Sequence, residues 1–326
     1  MSKWKSMSRI LQLRITTCII IVLCLVAVIQ FFASYGEYNY EHIPRDKIMS
    51  NIYFKTNPNL EVRPDKPKCN YNGILQSTAT SPPWTTVKSS NGFSLAGIVN
   101  GSYIPEDCNP LLSVAILVTY RLRQSQLDIF IPYIHNFLRK QGIHYSIYVI
   151  EQQDNKMWNK GLLYNVGVKQ AIADKFPCLI LHDVDILPLD TANLYACLQE
   201  PRHMSASLDK FRYVLTYNYL IGGAVAIRSD QYMAINGFSN KFQGWGGEDD
   251  DFAMRIAASK LKILRFPPDM SRYTMMHHIP QTKNTERTQI MKESKNKFLE
   301  EGYNSAEYSK KIIQKNQMFT LIGVKT

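Results

Sequence analysis

Hydrophobic positions divide the chain into three unlike stretches. The first, Ile15 to Phe32, is an almost unbroken apolar run with Gln30 near its end. Roughly 18–20 such residues form a helix long enough to cross a bilayer core. Lys3, Lys5, Arg9 and Arg14 precede the run, and Glu37 and Glu41 follow it. That asymmetry predicts a cytoplasmic tail over 1–14, a transmembrane signal-anchor over 15–34 and a lumenal remainder. A cleaved signal peptide is the alternative, but it needs a shorter apolar core and a small-residue cleavage site. Phe31-Phe32-Ala33-Ser34 is a poor one, so the uncleaved anchor is preferred.

The second stretch, 35–107, has no sustained periodicity. Pro44, Pro58, Pro64, Pro67, Pro82, Pro83 and Pro105 lie among many Ser, Thr and Asn, the composition of a stem or linker. The third, 108–326, changes grammar. Ser113–Tyr120 is a short apolar run rich in β-formers, which predicts a buried strand. Leu127, Phe130, Ile131, Ile134 and Leu138 then recur at helical spacing over 126–140, and Gly142 ends the helix. A strand over 144–150, a helix over 160–174 and an apolar strand over 178–181 follow. Strands alternating with helices predict an α/β domain with a mainly parallel sheet. Such sheets bind ligands beyond the carboxyl ends of their strands.

Composition alters this picture little. The 326 residues are 45% hydrophobic and 20% charged, which suits one or two globular domains. A formal charge of +11 invites a nucleic-acid reading, but Lys and Arg are spread along the chain and no nucleic-acid-binding signature occurs. The excess is compatible with anionic substrates or membrane surfaces. Cys18 and Cys24 fall in the membrane run, and Cys69, Cys108, Cys178 and Cys197 form an even lumenal set with no CxxC spacing. Disulfides are therefore possible and a zinc cluster is disfavoured. Asn100-Gly101-Ser102 is a glycosylation sequon.

Four groups of residues carry candidate chemistry. Asp183 and Asp185 follow the 178–181 strand, and side chains two apart in an extended backbone share a face. Two carboxylates there suit a hard divalent cation holding a diphosphate, although strand ends often carry Asp simply as a turn former. Gly244-Trp245-Gly246-Gly247 leads into Glu248-Asp249-Asp250-Asp251. Acids favour the start of the helix predicted over 250–260, but that preference explains neither the Trp nor the glycines. An aromatic can stack on a sugar ring, and a neighbouring carboxylate can take a proton from a hydroxyl. Met275 and His278 offer a soft and a borderline metal donor, a pairing more often found as core or surface. Trp158-Asn159-Lys160 opens a helix where a polar ligand could bind, and plain N-capping by Asn159 is the bland reading.

In this order the motifs resemble the β-1,4-galactosyltransferase family (glycosyltransferase family 7) from about Cys69 onward. The resemblance rests on Asp183-Val184-Asp185, Gly222-Gly223, Ile235-Asn236-Gly237-Phe238, the Gly244–Asp251 stretch and Arg272-Tyr273…Met275…His278. It implies a glycosyltransferase-A (nucleotide-diphospho-sugar transferase) fold with a mostly parallel central sheet, behind a single transmembrane helix and stem. It further implies a manganese-dependent, inverting, single-pass type II enzyme of the Golgi membrane, its catalytic domain lumenal over 108–326. Asp185, Met275 and His278 would hold Mn²⁺, and Asp249 would be the catalytic base. Donor contacts would come from Tyr120, Arg121, Arg123, Trp158, Asn159, Lys160, Asp183, Val184, Lys210, Leu220, Gly223 and Trp245. The acceptor would meet Tyr217, Gly247, Glu248, Asp249 and Asp250. The bridges would be Cys69–Cys108 and Cys178–Cys197, and the first would pack the end of the stem on the domain.

The sequence departs from the family in three places. Its usual Pro-Phe-Arg-Asn-Arg reads Thr119-Tyr120-Arg121-Leu122-Arg123, and its Phe-Asn-Arg reads Trp158-Asn159-Lys160, which loses a bidentate fork. Leu220 stands where galactose-specific members carry Tyr. A smaller aliphatic there resembles the invertebrate β-1,4-N-acetylgalactosaminyltransferase branch and implies UDP-GalNAc as donor, with UDP-Gal as the alternative. The segment 279–292 is shorter than the family's mobile loop. A GlcNAc-terminated glycan is the implied acceptor. The xylose-acceptor branch typically has Arg at the place of Gly247, and any accessory subunit stays open. A carbohydrate-binding pseudoenzyme and a metal-dependent phosphohydrolase are the competing classes.

Overall fold

The computed structural model describes residues 2–33, 39–77, 94–279, 281–295 and 297–326. Helix α1 (Ser2–Ala33) contains a 20-residue stretch, Gln12–Phe31, of mean hydropathy 2.4. At 1.5 Å per residue that is about 30 Å, the thickness of a bilayer core.

After a single helical turn come α2 (Ile48–Asn51), α3 (Asn72–Gln76) and a hairpin of β1 (Ile98–Val99) and β2 (Ser102–Tyr103). The main alternation then runs β3 (Ser113–Tyr120), α4 (Gln124–Arg139), β4 (His144–Gln152), α5 (Lys160–Ala173) and β5 (Cys178–Asp183). Beyond it lie β6 (Ile186–Pro188), β7 (Arg202–His203), β8 (Ser207–Leu208), β9 (Ala224–Arg228), α6 (Ser229–Ala234) and α7 (Glu248–Ala258). The chain closes with β10 (Arg272–Met275), α8 (Arg287–Ser294), β11 (Lys310–Lys315) and β12 (Thr320–Lys325).

The centre of the main sheet is parallel, as expected: β12 pairs with β4, β4 with β3, and β3 with β5. Its margins are antiparallel, with β9 and β7 beyond β5, and β2 and β1 beside the first half of β4. Every residue of β3 is buried, the pattern of a strand covered on both faces. Val114, Ile116 and Val118 point into the layer that includes α4, while Ala115 and Leu117 point into the layer that includes α5. A smaller sheet, β6-β10-β8, pairs Met275 with Ile186 and so sets the stretch before His278 beside Asp185.

Much of the expected linker is built into the domain. Tyr40, Ile48, Ile52 and Tyr71 are buried. Tyr53 N–H donates to the Cys197 carbonyl at 2.9 Å, and Ile43 N–H to that of Arg265 at 3.0 Å. The apolar residues of this layer show no period because they fill hollows in a surface rather than line one face of a regular element. The Cys69–Cys108 bridge, with Cα atoms 5.0 Å apart, fastens the layer, and Cys178–Cys197 ties the start of β5 to the loop before β7.

Candidate active site

A cleft of about 140 Å³ opens where β3 and β5 end, closed by the N-terminal turns of α5 and α7 and the end of β10. Thr119 lies opposite Asp183 in the sheet register, so the arginines after β3 and the aspartates after β5 enter the cleft together. Arg121, Arg123, Asp183, Val184, Asp185 and Lys210 all line it. Arg121 also donates to the Lys156 carbonyl at 2.6 Å and lies 5.4 Å from the ring of Trp158.

Asp185, Met275 and His278 share one wall. His278 Nδ1 is 3.0 Å from Asp185 Oδ2, and Arg123 pairs with the same oxygen. Burial works to raise the Asp185 pKa, but the hydrogen bond from His278 and the charge of Arg123 outweigh it and hold the carboxyl below its ordinary range. Asp209 accepts from the Met275 N–H at 2.9 Å and from the Thr274 hydroxyl, which fixes the strand carrying the thioether.

The same cleft holds a charge cluster centred on Lys160. Its Nζ lies 3.2 Å from Asp183 Oδ1 and 3.2 Å from each oxygen of Asp249. Burial opposes the ammonium charge, yet Asp183 and Asp249 together hold the Lys160 pKa well above its ordinary value. Burial lifts Asp183 to about 6 against the pull of Lys160. It lifts Glu248 to about 7, with Asp249 alongside adding to the shift. Asp249 sits flush on the backbone of Gly222, where a Cβ would come within 2.6 Å of Asp249 Oδ2. No side chain fits there.

Trp245, Gly246 and Gly247 swing the chain into α7. Gly247 has φ +97°, and a Cβ there would lie 2.7 Å from the ring of Phe242. Glu248 Oε2 accepts from the Gly246 N–H at 3.0 Å, and Tyr217 donates to Asp250 at 2.8 Å. Trp245 is 53% exposed, with a face available to the cleft. The segment after His278 docks on this turn: Trp245 N–H donates to Thr282, Asn284 N–H to Trp245, and the Arg287 guanidinium lies 5.9 Å from the Trp245 ring. Behind α7, buried Arg255 binds Asp251 at 2.7 Å, the Glu301 carbonyl at 2.8 Å and Ser294 at 3.2 Å.

Four residues expected to meet the donor lie outside the cleft lining. Tyr120 is buried and donates to Gln124 at 2.9 Å. Asn159 caps α5, accepting from the Leu162 N–H and donating to the Asn240 carbonyl, which is the plain capping reading. Gly223 accepts from the Asp183 N–H at 2.8 Å through its carbonyl, and Leu220 packs on a small cluster of Tyr40, Ala206 and Leu215. In return the structure adds Asp209, Thr119 and Gln281, the last two in the cleft lining. Only Asp209 carried a signal, as an acid directly before Lys210. Asn100 is exposed in the turn between β1 and β2.

Two family models match in tandem: the N-terminal region of glycosyl transferase group 7 over residues 65–198, and the N-terminal domain of galactosyltransferase over 202–279. Human beta-1,4-galactosyltransferase 3 is 40% identical over 213 residues, covering 64% of this chain and 54% of the human protein. Beta-1,4-galactosyltransferase 4 of Cricetulus griseus is 35% identical over 231 residues, covering 70% of this chain and 67% of that protein. The chain thus spans about half the length of the first of these relatives. The catalytic domain of Drosophila β1,4-galactosyltransferase 7, in complex with xylobiose, superposes with a TM-score of 0.56 at 28% identity, over 66% of this chain and 94% of that one. A mutant of that enzyme in complex with manganese, UDP-Gal and xylobiose gives 0.57 at 26% identity, with the same coverage.

Proposed function

Because this chain belongs to the glycosyl transferase group 7 family, we propose that it is a Golgi-membrane, type II enzyme. It transfers GalNAc from UDP-GalNAc, with inversion, in β-1,4 linkage to the terminal GlcNAc of a glycan. One observation carries the reading: Asp185, His278 and Met275 line the same cleft as the Lys160–Asp249–Glu248 cluster. Family membership, the apolar helix α1 and the two disulfides support a lumenal setting.

The residues fit a resident divalent ion. Carboxylate and imidazole converge at 3.0 Å, with a thioether on the same wall. Among the described residues no three His, Cys, Asp or Glu side chains form a metal-binding group, so Met275 and ligand oxygens would complete the shell. Mn²⁺ held there supplies charge neutralisation for a departing diphosphate. Arg121, Arg123 and Lys210 offer further positive charge to the same phosphates.

Asp249 acts as general base. The acceptor hydroxyl gives it a proton, the hydroxyl oxygen bonds to the anomeric carbon from one face, and the carbon–oxygen bond to UDP breaks on the other. Trp245 offers a stacking face for the sugar, and Glu248, protonated below about pH 7, can donate a hydrogen bond to a hydroxyl. The full-length protein in detergent with manganese, free GlcNAc and a panel of UDP-sugars tests this. Transfer from UDP-GalNAc is the expected result, and no turnover of any donor sinks it.

A galactosyl donor is the second reading, favoured by the UDP-Gal in the Drosophila complex. The GalNAc reading rests on the family resemblance at Leu220, where a Tyr would hinder an N-acetyl group, although Leu220 itself packs on Tyr40, Ala206 and Leu215 outside the cleft lining. Leu220→Tyr should shift preference toward UDP-Gal by about tenfold, the discrimination available from one altered pocket contact. Unchanged selectivity in that variant refutes the GalNAc assignment. An inactive, sugar-binding form is favoured by Lys160, which engages both oxygens of Asp249. It predicts donor binding without consumption.

A further inference from the structure

The loop bearing Tyr217 leads away from the cleft into a second depression. Tyr219 is 63% exposed, and its ring lies 4.8 Å from that of Tyr217, whose hydroxyl holds Asp250. Beyond Tyr219 lies an open groove of about 600 Å³. One wall is the C-terminal half of α7 with residues 261–265, and the other is the amino-terminal layer from Glu41 to Asn51. Arg265, 5% exposed, forms the floor. Its guanidinium donates to the carbonyls of Asn218 at 2.6 Å and Leu220 at 2.9 Å, so floor and aromatic loop are one unit. The Arg265 carbonyl accepts from the Ile43 N–H at 3.0 Å, which holds the far wall to the same residue. The layer that reads as a tether in the sequence is here one side of this groove.

The lining has the chemistry that recognises a sugar chain. An exposed aromatic stands at the mouth, Ala257, Leu261 and Ile263 give apolar surface within, and Glu41, His42, Asn218 and Lys262 offer hydroxyl partners. The lining sets Glu41 beside Lys47, Lys262 and Arg265, and the last of these already donates to the Asn218 and Leu220 carbonyls. The volume falls within the range of ligand sites.

We infer that this groove is the outer half of the acceptor site and holds the inner sugar residues of a glycan whose terminal sugar lies against Trp245 and Asp249. The inference rests on the transferase reading above. Its particular ground is the continuity of the groove with Asp250 through Tyr217 and Tyr219.

The test compares two acceptors with full-length protein, manganese and UDP-GalNAc or UDP-Gal: free GlcNAc, and a GlcNAc-terminated oligosaccharide. The oligosaccharide should show a KM lower by about tenfold, a modest gain for a few added contacts. Ala257→Trp, at an exposed position on the α7 wall, should erase that advantage and leave kcat/KM for free GlcNAc unchanged. Glu41→Trp, on the opposite wall, should act alike and guards against a folding defect in the first variant. Equal KM for the two acceptors, or variants that depress both equally, overturns the inference. Absence of turnover on either acceptor instead overturns the transferase reading beneath it.

Discussion

The wall carrying Asp185 and Met275 stands at the ends of β5 and β10, whereas the Lys160–Asp183–Asp249 cluster is assembled from pieces that arrive from distant parts of the chain. The first inherits its geometry from a core that must form for the domain to exist. The second depends on a glycine-rich turn and the segment after His278, and the outer groove beyond it on a layer contributed from 39–77. The groups proposed to meet the phosphates are therefore tied to folding, while the proposed acceptor side rests on parts that can change without disturbing the sheet.

The sharpest way to break this division is Asp249→Asn. Transfer should fall by about 10²–10⁴-fold, the usual worth of a positioned base, while UDP binding measured by calorimetry stays intact. Loss of UDP binding in that variant would mean the two walls are not separable. Replacing Cys69 and Cys108 together by Ser should lower the unfolding free energy by about 2–4 kcal/mol in urea titrations, since the bridge closes a 39-residue separation. A smaller loss would show that the 39–77 layer is held by packing alone.

Asp209→Asn probes the first wall from behind. Because Asp209 fixes the strand bearing Met275, manganese affinity should drop by about 10–100-fold with little change in acceptor KM. The smallest effect concerns pH. Burial raises Glu248 from 4.5 to about 7, so its contribution to stability is complete below pH 4.5 and is lost as pH rises through about 7. Glu248→Gln should flatten that decline in thermal melts followed from pH 5 to 8. A slope identical to the parent's would place the titration elsewhere.

What could be read from the sequence follows the same division. The strand over 113–120 has the expected bounds, and the expected helix over 160–174 falls within a residue of α5, because continuous apolar runs and helical spacing are local signals. The C-terminal hairpin was not legible: β11 is mostly exposed and lysine-rich, so it shows no alternation. Strand direction at the sheet margins was equally hidden, since period alone cannot tell parallel from antiparallel. Asp183, Asp185, Asp249, Met275 and His278 could be named from motif order and are brought to one cleft. The bridge from Lys160 to Asp249 could not, for it joins residues 89 apart in sequence. Arg265 acts through backbone carbonyls of another segment, a role that leaves no motif.

Arg255 gives the helix that carries the proposed base a keel. By gripping Asp251, Ser294 and Glu301 at once, it makes the aim of Asp249 depend on residues some fifty positions downstream that never approach the sugar. A lesion in that distant stretch would then read in an assay as a poor catalyst, although every reacting group were still in place.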